Sequence, residues 1–337
     1  MADTTLVFKV VNGVNHIVLK NLLFALALLS VGFTKAGLPP EAEVKAVKVV
    51  EVPGYSEGVV VDAAGAVYLS DVYQGVIYRV GREGEARVWA TTGAPNGHKI
   101  LADGTHLVCD GQQRAVLRLD AAGKLLGKAA SEYDGKPLRA PNDLTLDAHG
   151  GFYFTDPGGS NIQNPIGTVY YVNARGAIQL VAEGLAFPNG IVLRPGGKTL
   201  LVGESNHNRI LSYDVLAPGK VGRMRVFANL PTKQGEQIAN EPDGICLDAD
   251  GNLYIAHYGM RQVQVYSPAG KLLRRYAAGN LTTSNVAFGG ARLDQLYVTG
   301  ALGDEKTSKG ALFRLDLRGV KGLRAVTSDK RAVTSDR

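Results

Sequence analysis

The chain has 337 residues, 45% of them hydrophobic and 20% charged, a balance that excludes intrinsic disorder and is enough for a large core. Its net charge of +6 is mild and scattered, and no aromatic residues interleave the basic ones near the C-terminus, which argues against a nucleic-acid surface. The 42 glycines and 14 prolines suit a fold with a tight turn every ten residues or so, not a helical one.

Residues 1–36 read as a secretory signal peptide. A twelve-residue apolar run, Leu22 to Phe33, follows Lys9 and Lys20 and precedes Thr34-Lys35-Ala36, a small-residue cleavage pattern. The run is shorter than the ~20 residues that span a bilayer, so the expectation is a secreted or periplasmic protein with no stable membrane anchor after cleavage. Ala42 to Val52 then reads as a strand with no hairpin partner of its own.

From Glu57 onward one pattern recurs. A polar residue opens a short apolar run, a turn containing Asp or Gly follows, and a second apolar run returns. The copies run from Glu57 to Asp71, Asn96 to Asp110, Asn142 to Asp156, Asn189 to Glu204, Asp243 to His257 and Asn285 to Gly300, with openers 39 to 54 residues apart. Third and fourth strands such as Val76 to Val80 and Ala86 to Ala90 complete each unit. The last unit has a third strand, Ala311 to Leu317, but a weak fourth, whose place Ala42 to Val52 can take.

Such pairing removes exposed sheet edges. The expected fold is all-β, a six-bladed β-propeller over residues 42–323 closed by an N-terminal strand pairing into the last blade. Residues 324–337, which repeat Arg-Ala-Val-Thr-Ser-Asp, form a basic tail. Cys109 and Cys246 lie in apolar hairpins without zinc-ligand spacing and are expected to be buried free thiols.

In a propeller the first strand of each blade lines the central channel, so the six openers converge at one rim. Asp71, Asp110, Asp156, Glu204 and His257 end the second strands on the same face, farther from the axis. Glu57 and Asp243 at ~4–6 Å and an effective dielectric of ~20 would repel by roughly 3–4 kcal/mol, which a bound divalent cation relieves. The all-oxygen donor set favours Ca²⁺, with Mg²⁺, Mn²⁺ and Zn²⁺ as alternatives; a channel plugged by amides and water is the competing arrangement. By strand alternation from Asn96, His98 points toward the channel one layer deeper.

Ser56-Glu57-Gly58, Arg139-Ala140-Pro141-Asn142-Asp143-Leu144, Phe154-Thr155-Asp156-Pro157, Phe187-Pro188-Asn189-Gly190 and Glu241-Pro242-Asp243-Gly244 together resemble the senescence marker protein/gluconolactonase/luciferin-regenerating enzyme family. The resemblance, over roughly Tyr55 to Leu317, implies a metal held by Glu57, Asn142, Asn189 and Asp243, with Asn96 and Asn285 outside that quartet. It further implies a Ca²⁺-dependent hydrolase of a small-molecule lactone or ester, with Asp243 as catalytic base, nucleophile or water-orienting group. Asn96, Asn285, Arg139, Asp156 and His257 are expected beside metal or substrate, and Asn161, Gln237 and Tyr258 are further candidate contacts on top-face loops. A noncatalytic ligand-binding propeller, an aryl or phosphate esterase and a strictosidine-synthase-like enzyme are the alternatives.

Two motifs mislead. Gly54-Tyr55-Ser56-Glu57-Gly58 spells a serine-hydrolase elbow but opens a hairpin, whereas that elbow needs a strand-turn-helix. Asp248-Ala249-Asp250-Gly251-Asn252 resembles a calcium loop, but its Gly is misplaced and no Glu stands at the twelfth position.

Overall fold

The structure, a computed structural model, describes residues 37–81, 83–232 and 238–323. The leader, Gln237 and the tail lie outside the described residues. The remainder is all-β and propeller-like, built of short antiparallel meanders.

The first meander contains β2 (Ser56–Val61), β3 (Val67–Asp71), β4 (Val76–Val80) and β5 (Ala86–Thr91), preceded in the chain by β1 (Ala46–Val52). The second contains β6 (Pro95–Ile100), β7 (His106–Asp110), β8 (Ala115–Leu119) and β9 (Leu125–Ala130). A small hairpin, β10 (Glu132–Tyr133) and β11 (Lys136–Pro137), leads to β12 (Leu144–Leu146), β13 (Phe152–Asp156), β14 (Gly167–Val172) and β15 (Ile178–Leu185). Next come β16 (Pro188–Leu193), β17 (Thr199–Glu204) and β18 (Arg209–Ala217), with β19 (Lys220–Val221) and β20 (Arg225–Asn229) both paired to β18.

The last stretch contains β21 (Glu241–Leu247), β22 (Leu253–Tyr258), β23 (Gln262–Tyr266) and β24 (Leu272–Ala277), then β25 (Thr282–Gly289), β26 (Gln295–Ala301) and β27 (Gly310–Asp316). These two groups count as one sheet through the single bridge Tyr258 to Thr282. The partnerless strand finds its place here: β1 pairs antiparallel with β27, from Ala46 opposite Leu315 to Val52 opposite Gly310.

The turns explain themselves. In Asp62-Ala63-Ala64-Gly65 the Asp62 carboxylate accepts the Ala66 N–H at 2.8 Å and Gly65 adopts φ +87°, a left-handed conformation that glycine tolerates. The same chemistry recurs at Asp248 and Gly251, where Asp248 Oδ1 accepts the N–H groups of Asp250 and Asn252 at 2.9 Å. That stretch is a turn, as its sequence indicated.

Apolar burial is distributed rather than central, in clusters that lie between successive meanders. Val60, Tyr68 and Ile77 pack on Val108 and Leu117; Cys109 and Val116 on Leu144 and Phe154; Tyr153 and Tyr171 on Ile191 and Leu200. The series continues through Leu201 with Ile255 and Tyr254 with Phe288, and it returns to the start where Tyr297 and Leu312 meet Val59 and Leu69. Each fully buried aliphatic side chain stabilises the fold by about 1.5–3 kcal/mol relative to exposure, so these interfaces hold the meanders in fixed orientation around the strands that carry the openers. Both cysteines are free thiols; Cys109 is buried as expected, whereas Cys246 is half-buried, and desolvation pushes both thiol pKa values up.

Candidate metal centre

Five of the six innermost strands share an irregularity at the opener, the exception being β12, whose pairing with β13 begins only at Leu144. Register shifts fall between Glu57 and Val59, Pro95 and His98, Pro188 and Ile191, Pro242 and Ile245, and Thr283 and Val286. A bulge of this kind inserts a residue and re-aims a side chain.

The glycine after the opener is required by close approach. A Cβ on Gly58 would stand 1.9 Å from the Asn96 carbonyl oxygen, one on Gly97 2.5 Å from Asp143 Oδ1, one on Gly190 2.1 Å from the Asp243 carbonyl oxygen, and one on Gly244 2.4 Å from Asn285 Cγ. The opener segments therefore pack backbone against backbone. Hydroxyl groups tie them together: Ser70 Oγ donates to the Asn96 carbonyl at 2.7 Å, Thr155 Oγ1 to that of Asn189 at 2.9 Å, and Ser205 Oγ to that of Pro242 at 2.7 Å.

The centre so formed is short of hydrogen-bond partners. Glu57, Asn189, Asp243 and Asn285 are buried, whereas Asn96 and Asn142 are half-buried. Asn96 Oδ1, Asn189 Oδ1 and Asp243 Oδ1 are buried oxygens without a hydrogen-bond partner, a costly state for a polar atom. Asn285 differs, since its Oδ1 accepts the Val286 N–H at 2.9 Å and its side chain bonds to Glu57.

Burial, followed by the Asp143 charge, raises the Glu57 pKa to about 8, although the Gly58 N–H donates to Oε2 at 3.1 Å. Burial, then the Glu57 and Asp143 charges, pushes Asp243 well above the carboxylate range. Two carboxylates that resist ionising together, beside unpartnered amide oxygens, are a donor set suited to a hard divalent cation. The residues present fit such an ion. No cluster of three or more His, Cys, Asp or Glu with metal-binding geometry occurs among the described residues, as expected of a set that is half amide.

The carboxylates ending the second strands support the openers. Asp71 accepts the Gly54 N–H at 2.9 Å, Asp110 that of Ala94 at 3.1 Å and Glu204 that of Ala186 at 2.8 Å. Asp156 accepts the N–H groups of Arg139 and Ala140 at 2.9 and 2.6 Å, so it holds the loop that leads into Asn142. Arg139 is half-buried, with its side chain packed beneath Gly158.

His257 is fully buried with both ring nitrogens engaged, Nε2 with Asn208 Oδ1 at 2.9 Å and Nδ1 with Gln264 Nε2 at 2.5 Å. Burial lowers its pKa to about 3, and it is a neutral, internally bonded group. Asn161 caps its own loop, its Oδ1 accepting the N–H groups of Gln163 and Asn164 at 2.9 Å.

The bulge overturns the expected direction of His98. The extra residue at Asn96-Gly97 breaks the alternation, and His98 packs against Tyr68 and Trp89, with Nε2 2.7 Å from His106 Nδ1. Its neighbour Lys99 turns inward instead, with Nζ 3.6 Å from Asp143 Oδ1. Asp143 is a third buried carboxylate that the pattern of openers missed, because it occupies the place that Gly fills in four other units. Its Oδ1 accepts the Leu144 N–H at 2.8 Å, and its Oδ2 has no partner. Glu305 was missed as well; its charge acts on both Glu57 and Asp243.

Residues 55–302 match the family described as SMP-30/Gluconolactonase/LRE-like region. A gluconolactonase of Zymomonas mobilis is 30% identical over 189 residues, covering 53% of this chain and 52% of the relative, so the match spans about half the length of that protein. Lactonase drp35 of Staphylococcus saprophyticus is 33% identical over 234 residues, covering 64% of this chain and 69% of the relative. The solved structure of a gluconolactonase from Xanthomonas campestris superposes with a TM-score of 0.71 at 26% identity, covering 82% of this chain and 91% of that one.

Proposed function

The chain belongs to the SMP-30/gluconolactonase/LRE-like family, and from that premise we propose that it is a divalent-cation-dependent hydrolase of lactones. Calcium is the ion of choice in this reading, and a sugar or aliphatic lactone the substrate. The supporting observation is the set of buried oxygens without partners, Asn189 Oδ1 and Asp243 Oδ1, beside a Glu57 whose burial disfavours its charge. A noncatalytic binding surface has no use for such a set.

Glu57, Asn142, Asn189 and Asp243 would hold the cation. When bound, the ion supplies Lewis acidity toward the lactone carbonyl and stabilises the negative charge that develops on it. Asp243 orients the attacking water and takes its proton. A carboxylate beside a dication is a weak base, but desolvation raises the proton affinity of Asp243 and opposes that loss. Asn96 and Asn285 shape the remaining wall of the centre, and Asp156 positions Asn142 through its loop.

The same reading takes the fold as six blades, with β1 completing the last one. It is supported by the β1 to β27 pairing and by the interface that brings Tyr297 and Leu312 onto Val59 and Leu69. It also includes export through residues 1–36, which mass spectrometry tests as a mature N-terminus near Gly37. The function itself is tested by metal analysis of the purified protein, then lactone hydrolysis with and without chelator. Undiminished hydrolysis after verified metal removal rejects the catalytic role of the ion.

A further inference from the structure

The ends of three second strands deliver one acidic clasp to the mouth of the metal centre. After β26, the loop from Leu302 to Lys309 is closed by the Leu302 N–H to the Lys309 carbonyl at 3.0 Å. Asp304 caps it from within, its carbonyl accepting the Ser308 N–H at 2.8 Å and its Oδ1 the Lys306 N–H at 3.0 Å. The loop is thereby preorganised, and it projects Glu305.

Both oxygens of Glu305 are then claimed by tyrosines from other parts of the ring. Tyr73, just past the end of β3, donates its hydroxyl to Oε1 at 2.8 Å, and Tyr258, at the end of β22, donates to Oε2 at 2.9 Å. Tyr73 also lies against Tyr55, with ring centroids 6.0 Å apart, and the Tyr55 hydroxyl is 3.5 Å from Glu57 Oε1. The clasp is thus one ring away from a proposed metal ligand. Among the described residues no Lys or Arg forms an ion pair with Glu305, whereas Asp143 has Lys99 and Glu204 has Arg209. The cation proposed above would balance Glu57 and Asp243, whereas among the described residues no cationic side chain balances Glu305.

We propose that Glu305, fixed by Tyr73 and Tyr258, is the charge filter of this site: it admits uncharged polyhydroxylated lactones and turns away rings that carry a phosphate or carboxylate. The proposal rests on the lactone-hydrolase reading above. Physically, an uncompensated carboxylate held at a partly desolvated mouth repels an incoming anion and is indifferent to a neutral ring. Substrate specificity then comes from a repulsive element at the entrance, not from a contact to the favoured substrate. Arg139 is the competing determinant, a half-buried cation on the loop that leads into Asn142 and one that would favour anions.

The test compares full-length protein supplied with calcium, wild type and Glu305→Gln, on glucono-δ-lactone and its 6-phosphate. The wild type is expected to favour the neutral lactone in kcat/KM by tenfold or more, less so at high ionic strength. Glu305→Gln is expected to cut that preference at least fivefold by improving turnover of the phosphate, with neutral turnover within about threefold of wild type. Calorimetric binding of 1,5-anhydroglucitol and its 6-phosphate, which cannot be hydrolysed, is expected to show the same change in preference. Hydrolysis of the neutral lactone with equal discrimination in both proteins overturns the role of Glu305 alone. Hydrolysis of neither lactone overturns the lactonase reading and this proposal with it.

Discussion

Ser284 Oγ donates a hydrogen bond to the main-chain carbonyl of Ser56 at 2.8 Å, across 228 positions of sequence. It joins the innermost strand of the last meander to that of the first, one residue before Asn285 and one before Glu57. Ser56 in turn uses its own hydroxyl to accept the Gly300 N–H at 3.0 Å and donate to the Gly300 carbonyl at 2.8 Å. The serine of the misleading elbow motif is therefore a structural clamp. Ser284→Ala leaves a buried carbonyl without its partner, and we expect a loss of about 1–3 kcal/mol, read as a lower urea midpoint with unchanged m-value.

The two acidic and amide openers at the centre are expected to behave differently. If Asp243 holds the cation and the water as proposed, Asp243→Asn removes the charge both require, and turnover should fall at least a thousandfold with calcium affinity weakened by tenfold or more. Asn285→Ala should retain at least a tenth of wild-type activity, because Asn285 Oδ1 is already bonded to its own strand. Equal losses in the two variants would contradict the assignment of the quartet.

Close approach gives a sharper prediction than any side chain. Gly190→Ala puts a methyl 2.1 Å from the Asp243 carbonyl oxygen, where only movement of the backbone can relieve the overlap. We expect it to cost more than about 2 kcal/mol and to abolish calcium-induced thermal stabilisation. Gly65→Ala, with open space around its Cβ, is the comparison and should cost about 1 kcal/mol through its positive φ alone. A Gly190→Ala protein as stable as wild type would refute the packing described for the openers.

His257 supplies a separable part of the pH dependence, to which His98 and His106, also lowered by burial, add in the same direction. The folded pKa of His257 is about 3 against about 6.5 in the unfolded chain, so between those values the unfolded state binds a proton that the folded state refuses. Stability is therefore present above pH ~6.5 and is lost as pH falls. From pH 7 to 5 the wild type should lose about 2 kcal/mol more than His257→Gln, measured by urea unfolding at each pH. Parallel losses in the two proteins would assign the acid sensitivity elsewhere.

The openers Glu57, Asn189 and Asp243 were legible because a polar residue recurs at the start of each apolar run, before Gly in four of the six units, and a recurring position in a repeat maps to a recurring place in space. Alternation failed at one defined point. It assumed period two through Asn96, Gly97 and His98, but the bulge at Asn96-Gly97 adds a residue, and Lys99 rather than His98 reaches Asp143. The signal was available in the invariably bulged Xaa-Gly pair, whose glycine marks close backbone approach. Glu305 lay beyond such reasoning, because its partners Tyr73 and Tyr258 are set by the meeting of loops remote in sequence.

The pairing of β1 with β27 sets an order of events during synthesis. The earliest strand of the described fold must wait for the latest before either edge is covered, and Glu57 and Asn285 stand on opposite sides of that junction. A nascent chain lacking its last strand therefore leaves β1 unpaired and an edge of β26 open, so the first-made strand is protected only once the last-made one has left the ribosome.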